Sequence, residues 1–152
     1  MKSRLAAALI GGAAGAVTVT ALHQILKHLT PDAPRLDRLA KQALAKGAHE
    51  AGAPAPPEGA LHWIALAGDL AANTAYYSAG LAFGPGTATW LGPLLGAGAG
   101  VGSIALPAPL GLDDNETART ATTKALAFGL YFAGSVAATA TYRALLSETE
   151  EV

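Results

Sequence analysis

Four polar residues with acid–base or hydrogen-bonding chemistry share one stripe of a predicted helix. At 100° per residue they fall within about 40° of one direction; they are His62, Asp69, Asn73 and Tyr76. A carboxylate, an imidazole and a phenol so placed can exchange protons, and an amide can hold the carboxylate by a hydrogen bond. This stripe is the candidate functional site of the chain.

The preceding predicted helix carries a second polar stripe. Thr20, His23, Gln24 and Lys27 lie toward its C-terminal end. If the two helices pair in an antiparallel way, that end lies beside the start of the next helix, so His23 and His62 should lie at similar depth. The two stripes together predict one polar cluster between the helices.

Three interpretations of the cluster stay open at this point. Asp69 and Asn73 can form structural hydrogen bonds between helices, or Asp69 can titrate in a proton or permeation path with His62 at its mouth. Alternatively, His23 and His62 can hold a haem, or a quinone can bind near the interface, because two histidines on neighbouring helices are the minimal haem signature. The cofactor is therefore unknown, with haem as the named candidate.

The elements that position these residues are long and poor in charge. From Leu70 to Leu112 the chain has 43 residues without Asp, Glu, Lys, Arg or His, about twice the roughly 20 residues that a transmembrane helix needs. Charged residues make up only 14% of the chain, whereas soluble domains carry about 25%. This pattern predicts an all-α, polytopic membrane protein whose partner is the lipid bilayer; a soluble Ala-rich helical protein is the alternative.

The predicted domain is a single four-helix transmembrane bundle over residues 1–152. Its spans are predicted at about 5–26, 60–83, 87–106 and 121–142, with the last helix beginning near Asn115 and running on unbroken. The Gly84–Gly86 segment predicts a tight turn between the second and third spans. The first apolar stretch also resembles a secretory signal, but its length favours an uncleaved helix.

The first long loop contains a short amphipathic helix at about 34–47. Its leucines follow a helical spacing, while Arg35, Arg38 and Lys41 occupy other faces. Such a helix can lie on the membrane surface near lipid phosphates, or it can pack on the end of the bundle. Counting Lys and Arg places both long loops in the cytoplasm and both termini outside.

Small residues recur along the predicted spans. In lipid, such residues let helix backbones approach closely. They therefore predict tight packing within the chain, and association of the chain with a second copy of itself or with other membrane subunits. The packing residues expected on this basis are Gly11, Gly15, Gly92, Gly96, Gly100 and Gly129.

Several function classes lack support. The chain has no nucleophile elbow, no HExxH and no paired carboxylates within the spans, so no catalytic residue and no enzymatic activity is predicted. No metal-ligand spacing links the histidines, and a net charge of −1 gives no basic surface for nucleic acid. The sequence therefore predicts a non-enzymatic structural or assembly component, or a small carrier or channel organised around Asp69.

Overall fold

The computed structural model describes residues 2–150, with side chains from residue 4 to 147, and this range is all-helical. The predicted all-α class is therefore confirmed. The helices are α1 (Lys2–Leu29), α2 (Leu36–Glu50), α3 (Glu58–Leu81), α4 (Pro85–Ala105), α5 (Asn115–Ala118) and α6 (Ala121–Glu150).

Proline and glycine set the boundaries around the α3–α4 hairpin. Pro57 is the N-cap residue of α3, and Pro85 is the first residue of α4. Proline suits the first turn of a helix because its missing N–H would have no helical partner there. Gly84 has a φ of 106°, which favours glycine, so the predicted Gly84–Gly86 turn forms between two helices.

The last helix differs from the prediction. A continuous helix from about Asn115 is wrong, because α5 ends at Ala118 and α6 begins anew at Ala121. Between them Thr120 acts as a cap, since its hydroxyl accepts a hydrogen bond from the Thr123 N–H at 3.0 Å. A threonine three residues before a free backbone N–H competes with helix continuation in this way.

The four long helices α1, α3, α4 and α6, here termed the helix array, pack side by side. Contacts between α1 and α6 run in opposite directions along the two helices: Gly11 faces Ala138, whereas Gly15 faces Gly134. The same antiparallel order relates α4 to α6 and α1 to α3. The Ser78 hydroxyl also donates to the Ala8 carbonyl at 3.1 Å, which links α3 to α1.

Glycines occupy the tightest contacts in the helix array. A Cβ at Gly11 or Gly15 would stand 2.7 Å from a carbonyl oxygen of α6. On α4, a Cβ at Gly92 would overlap Thr139, one at Gly96 would overlap Ser135, and one at Gly100 would stand 2.8 Å from the Phe128 ring. These five glycines, all expected to serve packing, therefore lie where any side chain would push two helices apart.

Gly129 is the exception, because it makes no packing contact inside the helix array. It is exposed, and a Cβ added there would meet no atom within 4 Å. The packed face of α6 instead contains Gly134, where a Cβ would overlap Val19. Residues five apart in a helix differ by about 140° in direction, so the helix rotation that buries Gly134 turns Gly129 outward.

The two long connections meet at one end of the helix array, here termed the loop end. The Arg119 guanidinium donates to the Ala33 carbonyl at 2.8 Å, and the Asp113 N–H donates to Gln42 at 2.9 Å. The predicted amphipathic helix is present as α2; it contacts α3 and α5, and it buries Leu36. Its apolar side therefore covers the end of the array, the second of the two placements considered.

Only two helices within the described residues are long and apolar enough to cross a membrane. They are the segments Arg4–Leu29 of α1 and Ala121–Ser147 of α6. Four spans are therefore not confirmed, and two such helices are weak evidence for a membrane protein, because buried core helices and signal sequences share these properties.

Candidate functional site

Polar residues of α1 and α3 meet around a cavity of about 30 Å³ at the loop end, here termed the polar cavity. The antiparallel packing of α1 and α3 explains the meeting, because it pairs the end of one with the start of the other. The polar side chains that line the cavity are Thr20, His23 and Gln24 of α1, Asp37 of α2, and His62 and Asp69 of α3.

His23 is the most buried of these groups, with 4% of its surface exposed. Its Nε2 lies 2.9 Å from the carbonyl oxygen of Pro34, so Nε2 carries the proton of this hydrogen bond. Asp37 Oδ1 lies 3.9 Å from the same nitrogen. The segment that leads into α2 therefore fixes the ring of His23 and shields it from bulk water.

Asp37 belongs to the site although the sequence analysis did not single it out. Its Oδ2 accepts a hydrogen bond from Lys27 Nζ at 2.8 Å. Burial raises the pKa of the Asp37 carboxyl, but the hydrogen bond and charge of Lys27 outweigh burial, so this pKa lies below its ordinary value. Only the folding of the first loop onto α1 brings the two residues together, and no local spacing signals it.

Two buried oxygens at the polar cavity have no hydrogen-bond partner within the described chain, Thr20 Oγ1 and Asp37 Oδ1. Buried polar atoms without a partner are costly, and bound water usually satisfies them. A cavity of this size exceeds the roughly 10–15 Å³ that one water occupies by this measure. The polar cavity therefore has both the volume and the hydrogen-bonding groups to hold one or two water molecules.

Asp69 lies at the inner end of this cavity and is linked to Asn73. The Asn73 amide donates to Asp69 Oδ1 at 3.0 Å and to the Asp69 backbone carbonyl at 3.0 Å. Asn73 itself does not line the polar cavity. It faces a second, larger space, so one hydrogen-bonded pair separates the two.

The second space is a groove of about 540 Å³ between α3 and α4, here termed the α3–α4 groove. Ala72, Asn73 and Tyr76 of α3 line one wall, Gly98, Ala99 and Gly102 of α4 line the other, and Tyr131 of α6 also contributes. The Tyr76 hydroxyl donates to the Leu95 carbonyl at 2.9 Å and bridges the two helices.

The predicted cluster is therefore divided. The structure brings His23, Gln24, His62 and Asp69 together at the polar cavity, but it places Asn73 and Tyr76 at the α3–α4 groove. The reason is that His62 and Asp69 face α1 and α2, whereas Asn73 and Tyr76 lie nearer the turn and face α4. Helical periodicity predicts the shared face, but it does not predict which helices cover each part of it.

The geometry between His23 and His62 does not fit a haem. The polar cavity measures about 30 Å³, whereas pockets for ligands of drug size measure roughly 300–1,000 Å³. His23 Nε2 is also engaged with the Pro34 carbonyl. Within the described residues, His, Asp and Glu nowhere form a group of three that could hold a metal ion.

The fold and site define an all-helical protein that has two helices able to cross a membrane, a small polar cavity at the loop end and an apolar groove beside it. Comparison with known proteins adds no family: no family model, no curated protein and no solved structure matches the chain.

Proposed function

We propose that this chain is a multi-pass integral membrane protein with four spans, formed by α1, α3, α4 and α6. The support is the distribution of large apolar side chains, which lie on the outside of all four helices. Exposed examples are Leu9 and Val17 on α1, Ile64 on α3, Leu94 and Val101 on α4, and Phe132 and Val136 on α6. Soluble proteins rarely expose so much apolar surface on every side.

The interior of the helix array has the opposite composition to this surface. Its buried positions are rich in Ala, Gly and Ser, and they include few large aliphatic side chains. Small residues inside and large apolar residues outside suit lipid, where close van der Waals packing holds helices together. Two ionisable residues of α3, Asp69 and His62, line the polar cavity, and this position would shield them from lipid.

Within this framework we assign the Asp69 cluster a carrier role without enzymatic chemistry: Asp69 takes up and releases a proton. One observation carries this proposal: the Asp69 carboxylate lines the polar cavity inside the helix array, which has the volume and the hydrogen-bonding groups to hold water. Toward the loop end, Lys27, Asp37 and His23 form a series of polar contacts of 2.8 to 3.9 Å. Water in the polar cavity would connect this series to the Asp69 carboxylate.

Proton flux into liposomes tests the carrier role. Asp69→Asn keeps an acceptor for the Asn73 amide but cannot titrate, so we expect flux to fall to the level of protein-free liposomes. Asp114→Asn is the matched control, because this carboxylate is exposed at the loop end and lines neither cavity. Flux that Asp69→Asn leaves unchanged would overturn the carrier role and favour a purely structural or assembly role.

Fractionation tests the membrane location separately. We expect the protein to sediment with membranes and to stay there after an alkaline carbonate wash, because four apolar helices would be held by the hydrocarbon core. Recovery in the supernatant of a lysate made without detergent would overturn the location, and with it the carrier role.

A further inference from the structure

The α3–α4 groove exists because the two helices are joined at one level and separate beyond it. Near the turn, Gly80 lies against Leu95, and the Tyr76 hydroxyl bridges to the Leu95 carbonyl. Toward the loop end the walls move apart, and the groove ends on apolar residues of the following loop, among them Leu106 and Leu110. The groove is therefore closed near Tyr76 and apolar toward the loop end.

The lining of the groove indicates a neutral occupant. None of the described residues that line it carries a charge. Its volume of about 540 Å³ lies in the roughly 300–1,000 Å³ range of small-molecule sites, which are also mostly apolar with a few polar groups. The Asp69 carboxylate is only 3.0 Å behind the Asn73 amide, so an anionic head group at Asn73 would be repelled.

An unpaired acceptor marks where the polar part of the occupant would bind. Asn73 is nine-tenths buried, and its amide nitrogen uses its donors on the two Asp69 oxygens. No described residue donates to Asn73 Oδ1, which is left as an acceptor. Because Tyr76 donates its proton to Leu95, its hydroxyl oxygen also offers an acceptor. Both oxygen atoms can therefore accept hydrogen bonds from a ligand that donates them.

We propose that the α3–α4 groove binds one neutral amphiphile from the bilayer, with a hydroxylated head on Asn73 and Tyr76 and a single hydrocarbon tail toward the loop end. The proposal rests on the membrane location proposed above, because the bilayer supplies the ligand. A hydroxyl group gains a buried partner in this position, and the tail covers the small residues Gly98 and Gly102.

Native mass spectrometry of the detergent-solubilised protein tests the proposal with three probes. We expect bound 1-monooleoylglycerol, but little methyl oleate, which has the same chain without hydroxyl groups, and little dioleoylphosphatidylglycerol, which is anionic. In Asn73→Leu we expect the preference for monooleoylglycerol over methyl oleate to disappear. Equal binding of the first two probes by the unmodified protein, or preferred binding of the phospholipid, would overturn the proposal.

Gly98→Leu blocks the groove without a backbone clash, because a Cβ at Gly98 would stand 3.5 Å from the Tyr76 hydroxyl, an ordinary contact. We expect this variant to lose the monooleoylglycerol adduct. Gly68→Leu is the matched control on α3, since a Cβ there meets no atom within 4 Å, and it should keep the adduct. An adduct that survives Gly98→Leu would overturn the assignment. So would a dimer that Gly98→Leu alone abolishes, because the occupant of the groove would then be a second copy of the chain.

The two proposals fail in distinguishable ways. Protein that leaves the membrane fraction contradicts the membrane location. Protein that stays in membranes and does not bind monooleoylglycerol contradicts only the assignment of the groove.

Discussion

The two sides of α4 carry the same residue types and yet meet their neighbours in opposite ways. On one side, Gly92, Gly96 and Gly100 contact α6 so closely that no side chain would fit. On the other side, Gly98 and Gly102 line an open groove that faces α3. Glycine therefore permits close approach, but the residues opposite decide whether the approach occurs.

The opposing residues explain the difference. Against Gly92 and Gly96, α6 presents the short side chains of Thr139 and Ser135, which leave room for two backbones to meet, and Gly100 lies against the backbone and ring of Phe128. Against the open side, α3 presents the large side chain of Tyr76, whose hydroxyl reaches across to the Leu95 carbonyl. A large residue that is anchored by a hydrogen bond holds two helices at a fixed separation.

The largest expected effect comes from breaking the packed side. Gly96→Leu should lower the free energy of unfolding by about 3 kcal/mol or prevent folding, because a Cβ already overlaps Ser135 and the overpacked helices must separate. Thermal unfolding in detergent, followed by circular dichroism, measures the loss.

Gly129→Leu is the control for this prediction, since its side chain would meet no atom within 4 Å. It should leave the unfolding temperature close to that of the unmodified protein. Equal effects of the two substitutions would contradict the difference between packed and exposed glycines on which the comparison depends.

A smaller loss of stability is expected at Asp69, which lines the polar cavity and is hydrogen-bonded to Asn73 of the groove. Asp69→Leu should cost about 2 kcal/mol, because it removes the side-chain acceptor of the buried Asn73 amide. Asp69→Asn retains an acceptor and should cost much less. Chemical denaturation of both variants in detergent measures the difference, and a Leu variant as stable as the Asn variant would show that this hydrogen bond does not hold α3 in place.

The smallest loss of stability is expected at Asp37, in the helix α2 that packs on the loop end of the array. The pKa of Asp37 in the folded protein lies below its ordinary value of 3.8, so its ion pair with Lys27 contributes fully above that value. The contribution is lost as the pH falls through the lowered pKa, below about pH 4. Because both side chains are partly exposed, we expect about 1 kcal/mol or less.

Asp37→Asn sharpens the pH prediction. It should reduce stability at pH 7 and reduce it less at pH 3, which lies below the ordinary pKa of 3.8. Denaturation at the two pH values makes the comparison. A loss of equal size at both would show that charge on Asp37 does not attach α2 to the helix array.

Much of the helical framework follows from sequence pattern. The alternation of apolar and charged segments predicts the long helices, and Gly84–Gly86 predicts their tightest turn. The break before α6 does not follow, because Thr120 competes with a helix through its own hydroxyl. A helix-forming pattern of side chains carries no signal for that competition.

The site was predictable only in part. Periodicity identified His23, Gln24, His62 and Asp69, which share the polar cavity. Periodicity could not identify Asp37, because only the folding of the first loop onto α1 brings that residue to the cavity. It also could not show that Asn73 and Tyr76 lie outside the cavity. Such differences depend on which helix covers a given face, and that is a property of the whole packing.

The sidedness of single cysteines tests the four-span arrangement most directly. The chain has no cysteine, so Gly86→Cys at the α3–α4 turn and Gly47→Cys in α2 each add one thiol, at positions where a Cβ meets no atom within 4 Å. With a membrane-impermeant maleimide, we expect the two thiols to be labelled from opposite sides of the membrane. Labelling of both from the same side would contradict it, because α3 and α4 would then not span the bilayer.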